Sequence, residues 1–190
     1  MKTEKTVAII FILGILLKVF DIPGHSLLLI FSATIISIMY FPVAFYFFSD
    51  KSLKNQHLAL SIIGGIVLAM APIGCLFKLM HWPGAQIQLT GTLIFIAILL
   101  IITFILSKKS NEDLKNYYKN YLSRIIFWFI LSTVFYTVPK STIIKIQHHN
   151  DPELAKLKIQ AYENPDNIEY DIALQNYYRQ RDSLYMVENP

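Results

Sequence analysis

The sequence predicts an all-α fold: a polytopic integral membrane helical bundle of about five spans, followed by a helical soluble tail. Hydrophobic residues make up 54% of the 190 residues and charged residues only 16%. A soluble domain carries roughly a quarter charged residues to cover its surface. The second observation is a tandem two-helix hairpin repeat, in which two similar apolar hairpins follow each other at an offset of 60 residues.

The spans follow from the apolar segments. A membrane-spanning helix needs about 20 mainly apolar residues, and fewer where lysines at its ends reach back to the interface. Suitable segments lie at 6–22, 25–49, 58–82, 87–106 and 122–138. Helix breakers are tolerated in a membrane where neighbouring helices contact the freed backbone groups. We therefore expect helix packing at Gly14, Gly64, Gly65, Pro72 and Gly74.

Tight turns join the first span to the second and the third span to the fourth. These turns are Pro23-Gly24 and Pro83-Gly84, in which proline fixes one dihedral angle and glycine accepts a positive φ. Each pair of spans is therefore an antiparallel hairpin. The predicted domains are a first hairpin at 1–56, a second at 57–110, a basic loop with the fifth span at 111–139, and the tail at 140–190.

The repeat is carried by residues 14–24, which align without gaps onto residues 74–84. Glycine, lysine, proline and glycine recur at the same four places, which apolar matches alone would not explain. Because both copies enter the membrane in the same direction, they are predicted to be parallel repeats related by an axis along the membrane normal.

The repeated lysines, Lys18 and Lys78, precede their Pro-Gly turns by five residues. Two interpretations stay open. The lysines either reach to the membrane interface and fix the depth of each hairpin, or face the bundle interior and mark an ion path or a partner's acid. Asp21 lies on the same helix face as Lys18, and His81 occupies the equivalent place after Lys78. These four residues are the candidates for intramembrane charge or partner contact.

The charges of the loops predict the orientation in a bacterial inner membrane. Loops 50–57 and 107–121 are basic, which places them and the N-terminus in the cytoplasm and the tail in the periplasm. In the tail, Asp151-Pro152 and Asn164-Pro165 predict helix starts, because each supplies a capping side chain and a proline at the first position. The second tail helix, at about 165–186, carries a partly apolar face for a partner at Ile168, Ile172, Tyr178 and Tyr185.

Several functions are not supported by the residues. The five histidines have no metal-ligand spacing, Cys75 is a lone buried-type cysteine, and no nucleophile–base pair or phosphate-binding glycine loop is visible. The net charge of +4 comes from basic residues that flank apolar segments, so nucleic-acid binding is not expected. We predict no catalysis, cofactor or metal. The expected partners are membrane lipid and other membrane subunits or further copies of this chain.

Residues 77–85, Phe-Lys-Leu-Met-His-Trp-Pro-Gly-Ala, preceded by Gly74, resemble the N-terminal membrane domain of the gliding-motility protein family GldL. The first hairpin is similar to a lesser degree. The resemblance implies a hairpin that oligomerises in the inner membrane and works with a single-span partner as a proton-driven motor for gliding and type IX protein secretion. It also implies that Lys78 takes part in an intramembrane charge network. Unlike the family, this chain doubles the hairpin, adds a span, turns its tail outward, and has no carboxylate at 25–49 or 85–107.

Together these features predict a non-enzymatic inner-membrane scaffold or accessory subunit of an envelope complex of the gliding or secretion type. One alternative is a small transporter or ion-conducting protein that uses Lys18 and Lys78. Another is a membrane regulatory or immunity protein.

Overall fold

The structure, a computed structural model, describes residues 2–20, 22–41 and 58–188. Asp21 and the loop at 50–57 therefore lie outside the described residues. Within those three ranges the chain forms eight α-helices and no strand, so the all-α prediction is confirmed there. The helices are α1 (Lys2–Val19), α2 (His25–Tyr40), α3 (Leu58–Leu79), α4 (Ala85–Lys109), α5 (Glu112–Thr137), α6 (Lys140–Gln147), α7 (Pro152–Glu163) and α8 (Ile168–Glu188).

The chain divides into two compact units. One comprises Met1–Lys18 and Ile22–Val138, and is called here the membrane unit. The other comprises Val19–Asp21 and Pro139–Pro190, and is called the tail unit.

Two helices of the membrane unit are long and apolar enough to cross a membrane. These are α3 with 22 residues and α4 with 25 residues, and a third candidate arises if Leu114–Thr137 and Lys140–Gln147 are counted together. Helix α2 is apolar but has only 16 described residues, about 24 Å at 1.5 Å per residue, which is shorter than the hydrocarbon core. Helix α1 carries charges in its first and last turns. The chain thus has two or three span candidates in its described part, and the count of five stays a prediction.

Helix α3 is the central element of the membrane unit, because it packs against α2, α4 and α5. All the breakers predicted for packing on this helix, Gly64, Gly65, Pro72 and Gly74, are buried. By contrast, α4 buries a narrow stripe and exposes large apolar side chains such as Ile94, Ile98 and Ile101. In a membrane such a face contacts lipid.

The two Pro-Gly turns share a positive φ at their glycines. Gly24 and Gly84 adopt φ angles of 90° and 79°, a region that glycine enters without the steric cost of a Cβ atom. In the second turn, His81 has a φ of 58°, and the amide of Trp82 donates to the carbonyl of Phe77 at 2.9 Å. This bond is the closing bond of a Schellman motif, which ends a helix sharply. In the first turn the amide of Ile22 donates to the carbonyl of Leu17 at 3.0 Å.

In the tail unit, α7 begins where the sequence predicts. Asp151 caps it by accepting a hydrogen bond from the amide of Leu154 at 3.0 Å, and Pro152 is its first residue. The next helix begins at Ile168, three residues later than the predicted start at Pro165. The side chain of Asn164 instead donates to the carbonyl of Gln160 and finishes α7, while the side-chain oxygen of Asn167 accepts from the amide of Glu169. The short helix α6 was not predicted.

Candidate functional site

Two clusters of charged and polar side chains stand out among the described residues of the membrane unit. The first is at the Pro-Gly turns and contains Lys18, Lys78 and Gln86; it is called the lysine cluster. The second is formed by Glu4, Tyr40, Arg124 and Trp128, and is called the glutamate network. Lys18, Lys78 and Tyr40 are buried, and because apolar surroundings make buried polar groups costly, both clusters are candidates for function.

Lys78 stands in the last turn of α3 and is buried, with 7% of its surface exposed. Its ammonium nitrogen donates to the side-chain oxygen of Gln86 at 3.2 Å. Since Gln86 lies in the first turn of α4, this bond closes over the Pro83-Gly84 turn. A neutral amide thus faces the ammonium group, and no carboxylate lies within ion-pair distance of it in the described part of the chain.

Lys18 stands in the last turn of α1 and is equally buried, at 8% exposed. Its ammonium nitrogen lies 3.8 Å from the thioether sulfur of Met80. Because Met80 directly follows α3, Lys18 of the first hairpin reaches the turn of the second hairpin. The structure therefore brings both repeated lysines to the turn that Lys78 precedes.

The other predicted turn residues lie at the surface or at its edge. Pro23, Gly24, Pro83 and Gly84 are exposed, whereas His81 is half-buried. Asp21 is outside the described residues, so its predicted proximity to Lys18 stays a prediction. Whether any of these groups contacts a partner likewise stays a prediction.

The predicted packing glycines meet specific neighbours. A Cβ atom on Gly14 would lie 3.0 Å from the side chain of Leu29, and one on Gly74 would lie 3.0 Å from that of Leu89. Both hairpins thus close on a glycine–leucine contact. A Cβ atom on Gly64 would overlap the hydroxyl of Tyr121, which lies against α3 and donates to the carbonyl of Leu60 at 3.0 Å.

The glutamate network joins α1, α2 and α5. One carboxylate oxygen of Glu4 accepts from the hydroxyl of Tyr40 at 2.6 Å and from Nε of Arg124 at 2.7 Å. The Tyr40 hydroxyl in turn accepts from the indole nitrogen of Trp128 at 3.1 Å. The side chains of Glu4 and Arg124 are only 12% and 14% exposed. Charge-assisted bonds of this length, shielded from water, hold the N-terminal turn of α1 against α5.

The sequence alone does not reveal this network. The predicted first span begins at residue 6, whereas α1 begins at Lys2 and so includes Glu4. The sequence does contain one indication of such a network: Arg124 lies inside the predicted span 122–138, and a cation within a span requires a compensating acid.

The tail positions predicted for a partner are partly exposed. Ile168 and Ile172 are exposed on α8, and Tyr178 is half-buried. The side chain of Tyr185 is outside the described residues.

Asp151 links α7 to α8 through its side chain. Its second carboxylate oxygen accepts from the hydroxyl of Tyr177 at 2.7 Å. Partial burial by itself would raise the pKa of Asp151. The hydrogen bonds from Tyr177 and Leu154 and the charges of Arg181 and His148 have a larger effect in the opposite direction, so the pKa is lowered overall. The same bond to Asp151 raises the pKa of Tyr177. In the described part of the tail and membrane units, no group of three His, Cys, Asp or Glu side chains is placed to hold a metal.

Comparison with known proteins finds a similar family. Residues 60–123 match a family model described as the GldL N-terminal domain. The match runs from α3 through α4 into α5, and includes Lys78, the Pro83-Gly84 turn and the Gly64–Tyr121 contact. No curated protein and no solved structure matches the chain.

The apolar helices indicate a membrane protein. About a third of the chain, its second hairpin and the beginning of the helix after it, is similar to the GldL N-terminal domain, which confirms the resemblance seen in the sequence.

Proposed function

We propose that this protein is a non-enzymatic scaffold or accessory subunit of an inner-membrane envelope complex of the gliding or secretion type. The observation that carries the proposal is the position of the family match. It falls on the α3–α4 hairpin, whose turn holds the buried Lys78. The family is a membrane component of gliding motility, so the matched hairpin is the part of this chain that joins the complex.

The chemistry of Lys78 supports a partner at this turn. A buried cation is stabilised by an opposite charge, and removing that charge is costly. Within the described residues Lys78 has a neutral amide as its hydrogen-bond acceptor. An acidic side chain of a partner subunit would supply the missing charge. Lys18 adds a second ammonium group beside the same turn, so an acid that docks there would interact with both.

We further propose five spans, with the N-terminus in the cytoplasm and the tail in the periplasm. The basic loop at 107–121 supports this orientation. The tandem repeat is supported by the matched glycine–leucine contacts and the positive φ of both turn glycines. On the tail, exposed Ile168 and Ile172 are the proposed contact for an envelope partner.

Co-purification of the tagged full-length chain from its native membranes in mild detergent tests the proposal. We expect membrane proteins to co-purify with the wild type and to decrease at least about tenfold with Lys78→Met, since loss of one partner of a buried charge pair costs several kcal/mol. Lys78→Arg should retain part of the binding. Lys108→Met is the matched control, because Lys108 is an exposed lysine at the other end of the same hairpin. A stable lone monomer with no associated protein would contradict the proposal.

A small ion-conducting protein is the second candidate, favoured by the burial of two lysines at one turn. Flux in proteoliposomes distinguishes it from a scaffold. Conduction would be present in the wild type and abolished in a Lys18→Met, Lys78→Met double variant. A scaffold shows no flux in either protein.

A further inference from the structure

A cavity of about 730 Å³ lies between the first turns of α1 and the middle of α5, beside the glutamate network. Its volume is within the range of small-molecule sites. The described residues that line it belong to the membrane unit. Neither the lysine cluster nor the proposed partner contact uses this cavity.

The cavity is polar at one end and apolar at the other. Lys5 and Arg124 line it at the level of the Glu4–Arg124 ion pair. Ile9 and Phe127 also line it, each about one helical turn further along α1 or α5. In both helices the apolar residue lies further into the apolar segment than the charged residue. The cavity therefore has the polarity of an amphiphile whose head is at the interface and whose chain points into the bilayer.

The described residues that line the cavity, which include Glu4, Lys5 and Arg124, carry one net positive charge. Glu4 and Arg124 neutralise each other, since they form an ion pair at 2.7 Å. Lys5 then contributes the remaining charge; it is exposed, and no carboxylate among the described residues lies within ion-pair distance of it. Asn120, another lining residue, adds an exposed side-chain amide with two N–H donors. A phosphodiester has one negative charge and accepts hydrogen bonds from both groups.

We propose that this cavity binds an anionic phospholipid of the membrane leaflet at the N-terminal end of α1. Lys5 and Asn120 hold the phosphodiester beside the Glu4–Arg124 pair, and an acyl chain lies against Ile9 and Phe127. Basic pockets between transmembrane helices recognise anionic headgroups in this way. An anionic lipid neutralises the single positive charge of the cavity, whereas a zwitterionic lipid adds an ammonium group to an already cationic site.

The test uses the full-length chain, delipidated in detergent, with phosphatidylglycerol, phosphatidylethanolamine and inorganic phosphate as separate probes. Native mass spectrometry gives the number of bound lipids, and thermal unfolding gives the stabilisation. We expect one tightly bound phosphatidylglycerol, weaker binding of phosphatidylethanolamine, and no stabilisation by phosphate alone.

Two variants address the two ends of the cavity. Lys5→Gln should weaken phosphatidylglycerol binding about fivefold, the effect of one basic residue near an anionic headgroup. Lys119→Gln is its control, because it removes the same charge from an exposed position on α5 that does not line the cavity. Ile9→Trp keeps every charge and fills the apolar end, and should also weaken binding of the lipid.

Three results would overturn the proposal. Equal weakening by Lys5→Gln and Lys119→Gln would indicate a general surface effect. Equal binding of both lipids by every variant would indicate non-selective annular lipid. Stabilisation by inorganic phosphate to the same extent as by phosphatidylglycerol would indicate a soluble-anion site with no acyl chain.

Discussion

The contact between Gly64 and Tyr121 predicts a large effect of a very small substitution, Gly64→Ala. The new Cβ atom would overlap the Tyr121 hydroxyl and lie 2.6 Å from the ring carbon that carries it. Tyr121 is completely buried, so its ring has no route to solvent. The ring must therefore shift within a packed core, and the hydrogen bond from its hydroxyl to the carbonyl of Leu60 is lost.

The expected loss of folding stability starts from the sum of an overpacking cost and a hydrogen-bond cost. Overpacking a dense core costs about 1–3 kcal/mol, and loss of a buried hydrogen bond costs about 1 kcal/mol more. These two terms sum to about 2–4 kcal/mol, and the better helix propensity of alanine offsets roughly 1 kcal/mol of that, so Gly64→Ala should destabilise the membrane unit by about 1–3 kcal/mol. In a chain of this size that corresponds to a fall in Tm of about 3–10 °C.

Thermal unfolding of the purified chain in detergent measures the effect. Gly91→Ala is the matched control, because Gly91 lies inside α4 and a Cβ atom there meets nothing within 4 Å. The control should keep or slightly raise the Tm. Adding Tyr121→Phe to Gly64→Ala removes the overlapping hydroxyl and should recover part of the loss. A Gly64→Ala variant that melts within about 2 °C of the wild type would refute this account of how α3 packs on α5.

Further predictions concern the turn, the glutamate network and the tail. Gly84→Ala should lower stability by about 1–2 kcal/mol, because φ is positive there; chemical denaturation checks this, and an unchanged midpoint would contradict it. Glu4→Gln should lower stability by about 3 kcal/mol because it removes the carboxylate charge that pairs with Arg124 Nε, and the double variant with Arg124→Gln should lose less than the sum of the single variants; additive losses would argue against the ion pair. The Asp151 pKa is lower in the folded chain than in the unfolded one. The contribution of Asp151 to folding stability is therefore complete above the ordinary carboxyl pKa and is lost as the pH falls through the pKa of the folded state. Hydrogen exchange in α7 and α8 should rise over that acidic range, and Tyr177→Phe should move the rise to higher pH; an unshifted profile would contradict the role of this bond.

The features that depend on neighbouring residues are the ones the sequence predicts well. The Pro83-Gly84 turn requires a proline and a positive φ side by side, and both are visible in the chain. The cap of α7 at Asp151 is local in the same way. The start of α8 was misplaced because two local signals compete, and Asn167 provides the cap that Asn164 was expected to provide.

Contacts between distant residues are the ones the sequence left undetermined. It marked Gly64 as a packing position, but the helix it faces depends on how α5 lies against α3. Likewise, the pairing of Glu4 with Arg124 joins residues 120 positions apart and depends on the tertiary arrangement. The burial of Lys18 and Lys78 depends on neighbouring helices that the sequence does not place, since the same spacing suits an interfacial lysine.

The central claim, that the Lys78 turn contacts a membrane partner, is tested most directly by crosslinking in living cells. A photoreactive amino acid at Trp82, which is exposed beside this turn, should form an adduct with a distinct membrane protein. The adduct should disappear when Lys78→Met is added and persist with Lys108→Met. Absence of any protein adduct, or an adduct that is equally strong in both variants, would contradict the claim.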